Sequence, residues 1–491
     1  MKIDKTLGGS NVINLLKTFS KDDQKDFEKF VQSPYFNKGR NYIQLLKIIN
    51  KFAPDFDSDK FTKNHVYGKL FPGKVYKESV MKSMLSRLDA IAEEFLYQKA
   101  VENYDFMLRE RLLLNEFSKR GLRKRAEKVI KETEKLISGK KAGVLDFVKM
   151  KDYTNEVLNH YYNFNERSKY TDYLFIHQLY NVYAFLTEFL LNEGSVYAQR
   201  NFWSKELDIN SIMNIFESID SGKILSQVKK YGKDEYNILK LLYLLMMSLK
   251  HPGEDKYFFD LKRLFTDISD SFDLDFKKYI LNAMTIVCST KSVAGKEEFR
   301  KEAFIIRKKI YDENLNIFSG KHYLKNGDFR TAFIEAVNLN EIKWAEEFLE
   351  KYLFNLQPEY REDISNYCKA VLSYGKGNYD EALLYSNMVN IKQITYKLDL
   401  KNLVSKIYFE TGSTENLISL LNAYYQLINN SNSQNKNFLS RHLNFIKYLR
   451  QLLNFKLNNA GDTDLKLLYD SVKRDNVTSK KWLLEKAGDL I

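Results

Sequence analysis

The sequence predicts an all-α protein, with stacked helical hairpins following an N-terminal helical domain, and three observations support this. Only 5 prolines and 20 glycines punctuate 491 residues, and after Pro72 only Pro252 and Pro358 interrupt the chain. Proline removes a helical hydrogen bond and glycine loosens the backbone, so their scarcity leaves long stretches free to be helix. Apolar residues recur at three- and four-residue spacing along segment after segment, the period of an amphipathic helix. Towards the C-terminus a small turn pattern returns at a near-constant interval, as in a chain built from repeated hairpins.

A chain this long exceeds what one hydrophobic core organises. It is expected to divide into an N-terminal helical domain (1–100), a central aromatic-rich helical region (101–318), and helical hairpins with C-terminal helices (319–491).

The first hundred residues predict five helices. A short one covers Val12 to Thr18. Ser20 then caps the acidic turn KDDQ, and Phe27, Phe30 and Val31 form one apolar face. The stretch SPYFN follows. Pro34 disfavours helix at Ser33, Phe36 or Tyr35 is placed to fold back onto the core, and Asn37 is placed to cap the helix carrying Tyr42, Ile43, Leu45, Leu46 and Ile49. Every letter of that stretch thus has a structural role as a corner. Thr62 caps a short helix in FTKNHVYGKLF, PGKVY turns the chain, and a long helix carries Met81, Met84, Leu85, Leu88, Ile91 and Phe95 on one stripe.

From there to about residue 300 helix follows helix. The basic segment Ser118 to Lys141 keeps Leu122, Ala126, Val129, Thr133 and Leu136 along one stripe, so it is expected to pack through that face with its charges wet. The run NHYYNFNERSKYTDYLFIHQLYNVYAF reads as core, its tyrosine hydroxyls reaching polar partners at the margin.

Composition excludes several function classes. The net charge is +13 with a pI near 9.1. A basic excess draws polyanions. Here, however, it is spread along a chain rich throughout in Lys, Asn, Ile, Tyr and Phe, a bias of A+T-rich coding, and singles out no ligand. Cys288 and Cys368 lie far apart in apolar stretches, as buried thiols of a reducing compartment do. The N-terminus has no apolar signal core. The greasiest run, ILKLLYLLMMSL, is interrupted by a lysine and falls well short of the ~20 residues that span a bilayer. A soluble cytoplasmic protein without membrane contact is expected.

No catalytic residue, metal site or cofactor is predicted. Asp55, Asp57 and Asp59 hold the first, third and fifth places of a calcium loop, but Lys60 stands where a glycine must turn the chain and Val66 where a glutamate must close the shell. The six histidines form no i, i+3 or i, i+4 pair. GKGNYD and AGKEEF lack the frame of a phosphate-binding loop, and no GxSxG, CxxC or HExxH occurs.

The repeat is seen in YGKGNYDEALLYS, where Gly377, Tyr379 and Ala382 stand in order. FETGSTENLISLL places Gly412, Thr414 and Leu417 in the same frame, and NLNEIKWAEEFLE places Asn340, Ile342 and Ala345. These intervals resemble the period of about 34 residues of tetratricopeptide (TPR) repeats. In that family glycine or asparagine closes the first helix, an aromatic opens the second and a small residue admits close approach. Ala370 and Ser405 supply the small residue on two first helices, while Phe333 stands there in the earlier unit. The resemblance implies a TPR-like α-solenoid whose first helices line a concave surface for a protein or peptide partner. In the glycine register Tyr367, Val371, Tyr374, Asn402, Lys406 and Phe409 would line that groove.

Over nearly its whole length, through SPYFN, KLFPGKVY, KWAEEFLEKYL, KIYFETG, LNFIKYLRQLL and KKWLLEK, the chain also resembles a family of uncharacterised bacterial helical-repeat proteins. That resemblance implies a common fold and no activity. The function expected is a non-catalytic scaffold or adaptor. The alternative comes from residues 61–96, which resemble the helix-turn-helix of bacterial activators that join a DNA-binding domain to TPR repeats. That resemblance implies contacts to DNA from Lys74, Lys77, Lys82 and Arg87. Against it, the chain after Leu96 continues as helix where a winged domain needs a β-hairpin.

Overall fold

A computed structural model describes residues 6–36, 42–104, 106–202, 209–293, 295–315, 323–431, 436–458 and 462–490. Among these the protein is all-helical, with two isolated bridge contacts (Thr6 with Thr62, Ala142 with Phe272) and no strand. Two compact units are formed: residues 1–139 with 152–174, and residues 140–151 with 175–491. The division differs from the three regions expected from sequence.

In the first unit, α1 (Asn11–Leu16), α2 (Lys21–Gln32), α3 (Ile43–Asn50), α4 (Lys63–Leu70) and α5 (Glu78–Tyr104) enclose one core. Met81, Met84, Leu85, Leu88, Ile91 and Phe95 are all buried in it. Phe19, Phe27 and Phe95 meet there with ring centroids 5.3–5.6 Å apart. Ser20 starts α2 with a complete capping box: its hydroxyl accepts from the Asp23 N–H at 3.1 Å, and the Asp23 carboxylate accepts from the Ser20 N–H at 2.8 Å. Lys99 of α5 pairs with the same carboxylate. Thr62 caps α4 by accepting from the His65 N–H at 3.3 Å.

The SPYFN corner divides its roles. Phe36 stacks on Phe30 at 4.1 Å, while Tyr35 is 76% exposed. Asn37, expected as a helix cap, lies outside the described residues.

Next, α6 (Phe106–Lys119) and α7 (Arg123–Ser138) form a hairpin. The stripe on α7 is narrower than expected: Ala126, Val129, Ile130 and Thr133 are buried, but Leu122 and Leu136 are exposed. The helices α8 (Asp146–Asn163) and α9 (Arg167–Phe202) follow. Arg111 and Asn115 of α6 bond Asp152 and Glu156 at 2.6 and 2.7 Å.

The second unit continues through α10 (Ile209–Glu217), α11 (Ser221–Val228), α12 (Lys233–Lys250), α13 (Asp255–Ile268), α14 (Leu274–Val293) and α15 (Glu298–Asp312). Of the described helices none is long and apolar enough to cross a membrane. Both Cys288 and Cys368 are buried free thiols, and burial pushes the Cys288 thiol up to about 12.

Three hairpins then follow: α16 (Asn326–Asn338) with α17 (Ile342–Tyr352), α18 (Pro358–Gly375) with α19 (Tyr379–Met388), and α20 (Ile394–Glu410) with α21 (Thr414–Asn429). In this stretch α18 packs on both α16 and α20, and α20 packs on α22 (Lys436–Asn458); α23 (Asp462–Arg474) and α24 (Lys480–Gly488) close the chain.

One turn closes each hairpin. Asn340, Gly377 and Gly412 adopt φ of +63, +79 and +72°, and the next N–H reaches back five residues: Glu341 to Ala336, Asn378 to Ser373, Ser413 to Tyr408. This is the Schellman closure, which needs a left-handed residue that glycine or asparagine accepts most readily. The same closure recurs at Gly121, Asn165, Gly295 and Asn314.

Candidate functional site

Along one face of α20 the side chains of Asp399, Asn402, Lys406, Phe409 and Glu410, three and four residues apart, form one row. Polar residues on this row meet partners from α16, from α18, and from Ser479 and α24.

At one end, Arg330 of α16 grips Asp399 bidentately, Nε and Nη2 donating at 2.5 and 2.6 Å. The Tyr367 hydroxyl donates to the same carboxylate at 2.7 Å. Burial, the largest influence, would lower the pKa of Arg330, but the charge and hydrogen bond of Asp399 together with Tyr367 and Tyr396 outweigh it and raise it. Beside this pair lie α22 residues Arg441 and His442. His442 is buried and paired with the Tyr424 hydroxyl. Burial, opposed by Asp399 and helped by Arg441 and Arg330, brings its pKa down to about 4, so the ring is neutral at pH 7.

Asn402 is 7% exposed; its Oδ1 accepts from Ser479 at 2.8 Å, and its buried Nδ2 has no partner among the described residues. Ser479, in the left-handed region at φ +54°, is fixed just before α24, and the neighbouring Thr478 N–H donates to the Arg441 carbonyl at 3.2 Å. One helical turn beyond Asn402, the Lys406 ammonium sits 4.3 Å from the Tyr374 ring centroid. Burial lowers its pKa to about 8, with Asp399 and Glu410 only partly opposing. At the far end Trp482 donates to Glu410 at 2.8 Å, Lys486 pairs with that carboxylate at 3.2 Å, and the Trp482 ring lies 5.5 Å from Phe409.

The six expected groove residues are therefore brought onto adjacent helices, but not as an open lining. Tyr367, Val371, Asn402 and Phe409 are buried, and only Tyr374 and Lys406 are half-buried. A first helix flanked by two other first helices has little free circumference, and here α22 and α24 contact part of what remains. Sequence reasoning missed Arg330, Asp399, Arg441 and Ser479. They come from four separate elements, and their individual contexts give no signal.

The other expected site lies in the first unit. Lys74, Lys77, Lys82 and Arg87 are all exposed around the α4–α5 turn. Lys82 pairs with Glu78 at 3.1 Å within α5, and Lys74 lies over the Phe71 ring at 5.7 Å. Among the described residues no hairpin of strands accompanies them.

Two further constellations are visible. Ser118 hydrogen-bonds His160 Nδ1 at 2.8 Å, but among the described residues Nε2 of that buried imidazole has no partner, so no carboxylate there orients it as a base. A pocket of about 540 Å³ is lined by Glu193, Asp220, Tyr243 and Lys250, where burial raises the Glu193 pKa against the Lys250 charge 3.4 Å away. No family model, curated protein or solved structure matches the chain.

Proposed function

We propose that this protein is a non-catalytic scaffold that binds another protein or peptide through a TPR-like stack of hairpins, in a reducing, cytoplasmic setting. One observation carries the proposal. The turns at Asn340, Gly377 and Gly412 close three successive hairpins in the same way, and α18 packs against both α16 and α20, so first helices follow one another along one surface. Repetition of that kind presents a ridge longer than any single helix, suited to an extended partner. Its accessible centre is the half-buried pair Tyr374 and Lys406.

Capture from the native host with the intact chain tests this. A defined partner retained by the wild type and by Lys82→Ala/Arg87→Ala, but lost with Tyr374→Ala/Lys406→Ala, supports the scaffold. Enrichment of a defined duplex sequence that depends on Lys82 and Arg87 supports DNA binding instead.

A further inference from the structure

Buried cations in this protein are normally provided with acceptors. Lys291 is fully buried, and its ammonium donates to the Pro252 and Glu254 carbonyls and to Asp255 at 2.9, 2.7 and 3.1 Å, using all three of its N–H groups. Arg330 has Asp399. Arg441, like Lys406, is not so provided. Its Nε is buried without an acceptor, and among the described residues its guanidinium makes no hydrogen bond or ion pair. Its charged neighbours make this worse on balance: Arg300 and Arg330 repel it, while Asp399 is already held by Arg330 and Glu297 pairs with Arg300 at 3.0 Å. A lysine in such a place sheds its proton, but an arginine keeps its charge. A guanidinium whose Nε is buried without an acceptor, and whose carboxylate neighbours are engaged elsewhere, is in an unfavourable place. Asn402 holds a second buried donor, Nδ2, without an acceptor among the described residues, and the Thr478–Ser479 pair links the two residues, one bonding the Arg441 backbone carbonyl and the other the Asn402 side chain.

We propose that Arg441, with Asn402 and the positive field of Arg300 and Arg330, forms a receptor for an oxyanion, a phosphate or carboxylate group, that supplies the missing acceptors. A guanidinium offers a forked pair of donors to such a group, and the surrounding positive charge favours its approach. The inference does not depend on the scaffold proposal, because the anion is either free in solution or carried on an acidic segment.

The test uses the full chain in chloride buffer at fixed ionic strength. Inorganic phosphate and a hexaglutamate peptide are titrated separately by calorimetry, with thermal midpoints measured alongside. At least one probe is expected to bind and raise the midpoint beyond the chloride control. Arg441→Gln is expected to weaken that binding at least tenfold and Arg125→Gln to leave it unchanged. Binding of phosphate identifies a free anion as ligand; binding of the peptide alone identifies a carboxylate-bearing segment. Arg441→Met gives an independent check that needs no ligand: removing an uncompensated charge is expected to raise the midpoint in anion-poor buffer, whereas a packing role for the side chain predicts a fall. Absence of binding by both probes, equal binding by Arg441→Gln, or a lowered midpoint in Arg441→Met overturns the proposal.

Discussion

Lys291 and Lys406 are two lysines on helices of the same unit, and the protein treats them in opposite ways. Lys291 is given three oxygen acceptors, while among the described residues Lys406 receives only the Tyr374 ring face. The consequence is a pH dependence of stability. Lys406 has a folded pKa of about 8 against an ordinary value of 10.5. Between these values the unfolded chain holds a proton that the folded protein has released, so the contribution of this group to stability rises with pH from 8 towards 10.5. Below pH 8 the buried charge is a standing cost of about 2 kcal/mol, after allowance for its partial contact with water. Lys406→Met should therefore be more stable than wild type at pH 7, with the gap closing by pH 10. A gap that stays constant across that range in denaturant titrations would refute the lowered pKa. His442 has the same sign in a lower window: folded near 4 and ordinarily 6.5, it should cost stability as pH falls through that interval, and His442→Gln should flatten the loss. Neither residue announced this in the sequence. In SRHLNFIKYLRQLL nothing sets His442 apart from the other polar residues, and what surrounds it comes from other helices, Tyr424, Asp399 and Arg330.

At the scale of the element, glycines two residues apart behave differently. Gly375 belongs to the last turn of α18, whereas Gly377 has φ +79°, and a Cβ at either place meets nothing within 4 Å. With steric contact removed from both, only the backbone decides. Gly375→Ala should gain some tenths of a kcal/mol, up to about 1, in helix propensity, whereas Gly377→Ala should lose about 1 kcal/mol by forcing an L-residue into the left-handed region. Equal effects of the two in urea titrations would contradict the hairpin closure assigned here. The capping box of α2 gives a parallel expectation, Ser20→Ala costing about 1 kcal/mol. These punctuation residues were legible because their role is local: Ser20, Thr62, Asn340, Gly377 and Gly412 sit where sequence placed them. The closures at Gly121, Asn165, Gly295 and Asn314 follow the same chemistry without the flanking pattern that made the repeat visible. What local reasoning lacked was the free circumference of each helix. Helical period separates apolar from polar faces, but on α18 and α20 even polar faces are occupied, so Tyr367 and Asn402 went inward.

For the whole molecule, two compact units within one chain predict that unfolding is not a single event. Every tryptophan lies beyond residue 175, at positions 203, 344 and 482, so intrinsic tryptophan fluorescence reports the second unit while far-ultraviolet dichroism reports helices of both. The two urea transitions should differ in midpoint or slope, and coincident curves would show that the units unfold as one. The all-helical class was readable at this scale from scarce proline and sustained helical period. The partition was not, because the cut at residue 174 falls inside α9, where no proline, glycine or change of composition marks it. The hairpin stack is expected to receive a partner along its first helices. Hydrogen–deuterium exchange on the full chain, with and without the protein captured from its host, tests this most directly. Slowed exchange concentrated in α16, α18 and α20 is the predicted result. Protection confined to the α4–α5 turn, with those three helices unchanged, would contradict it.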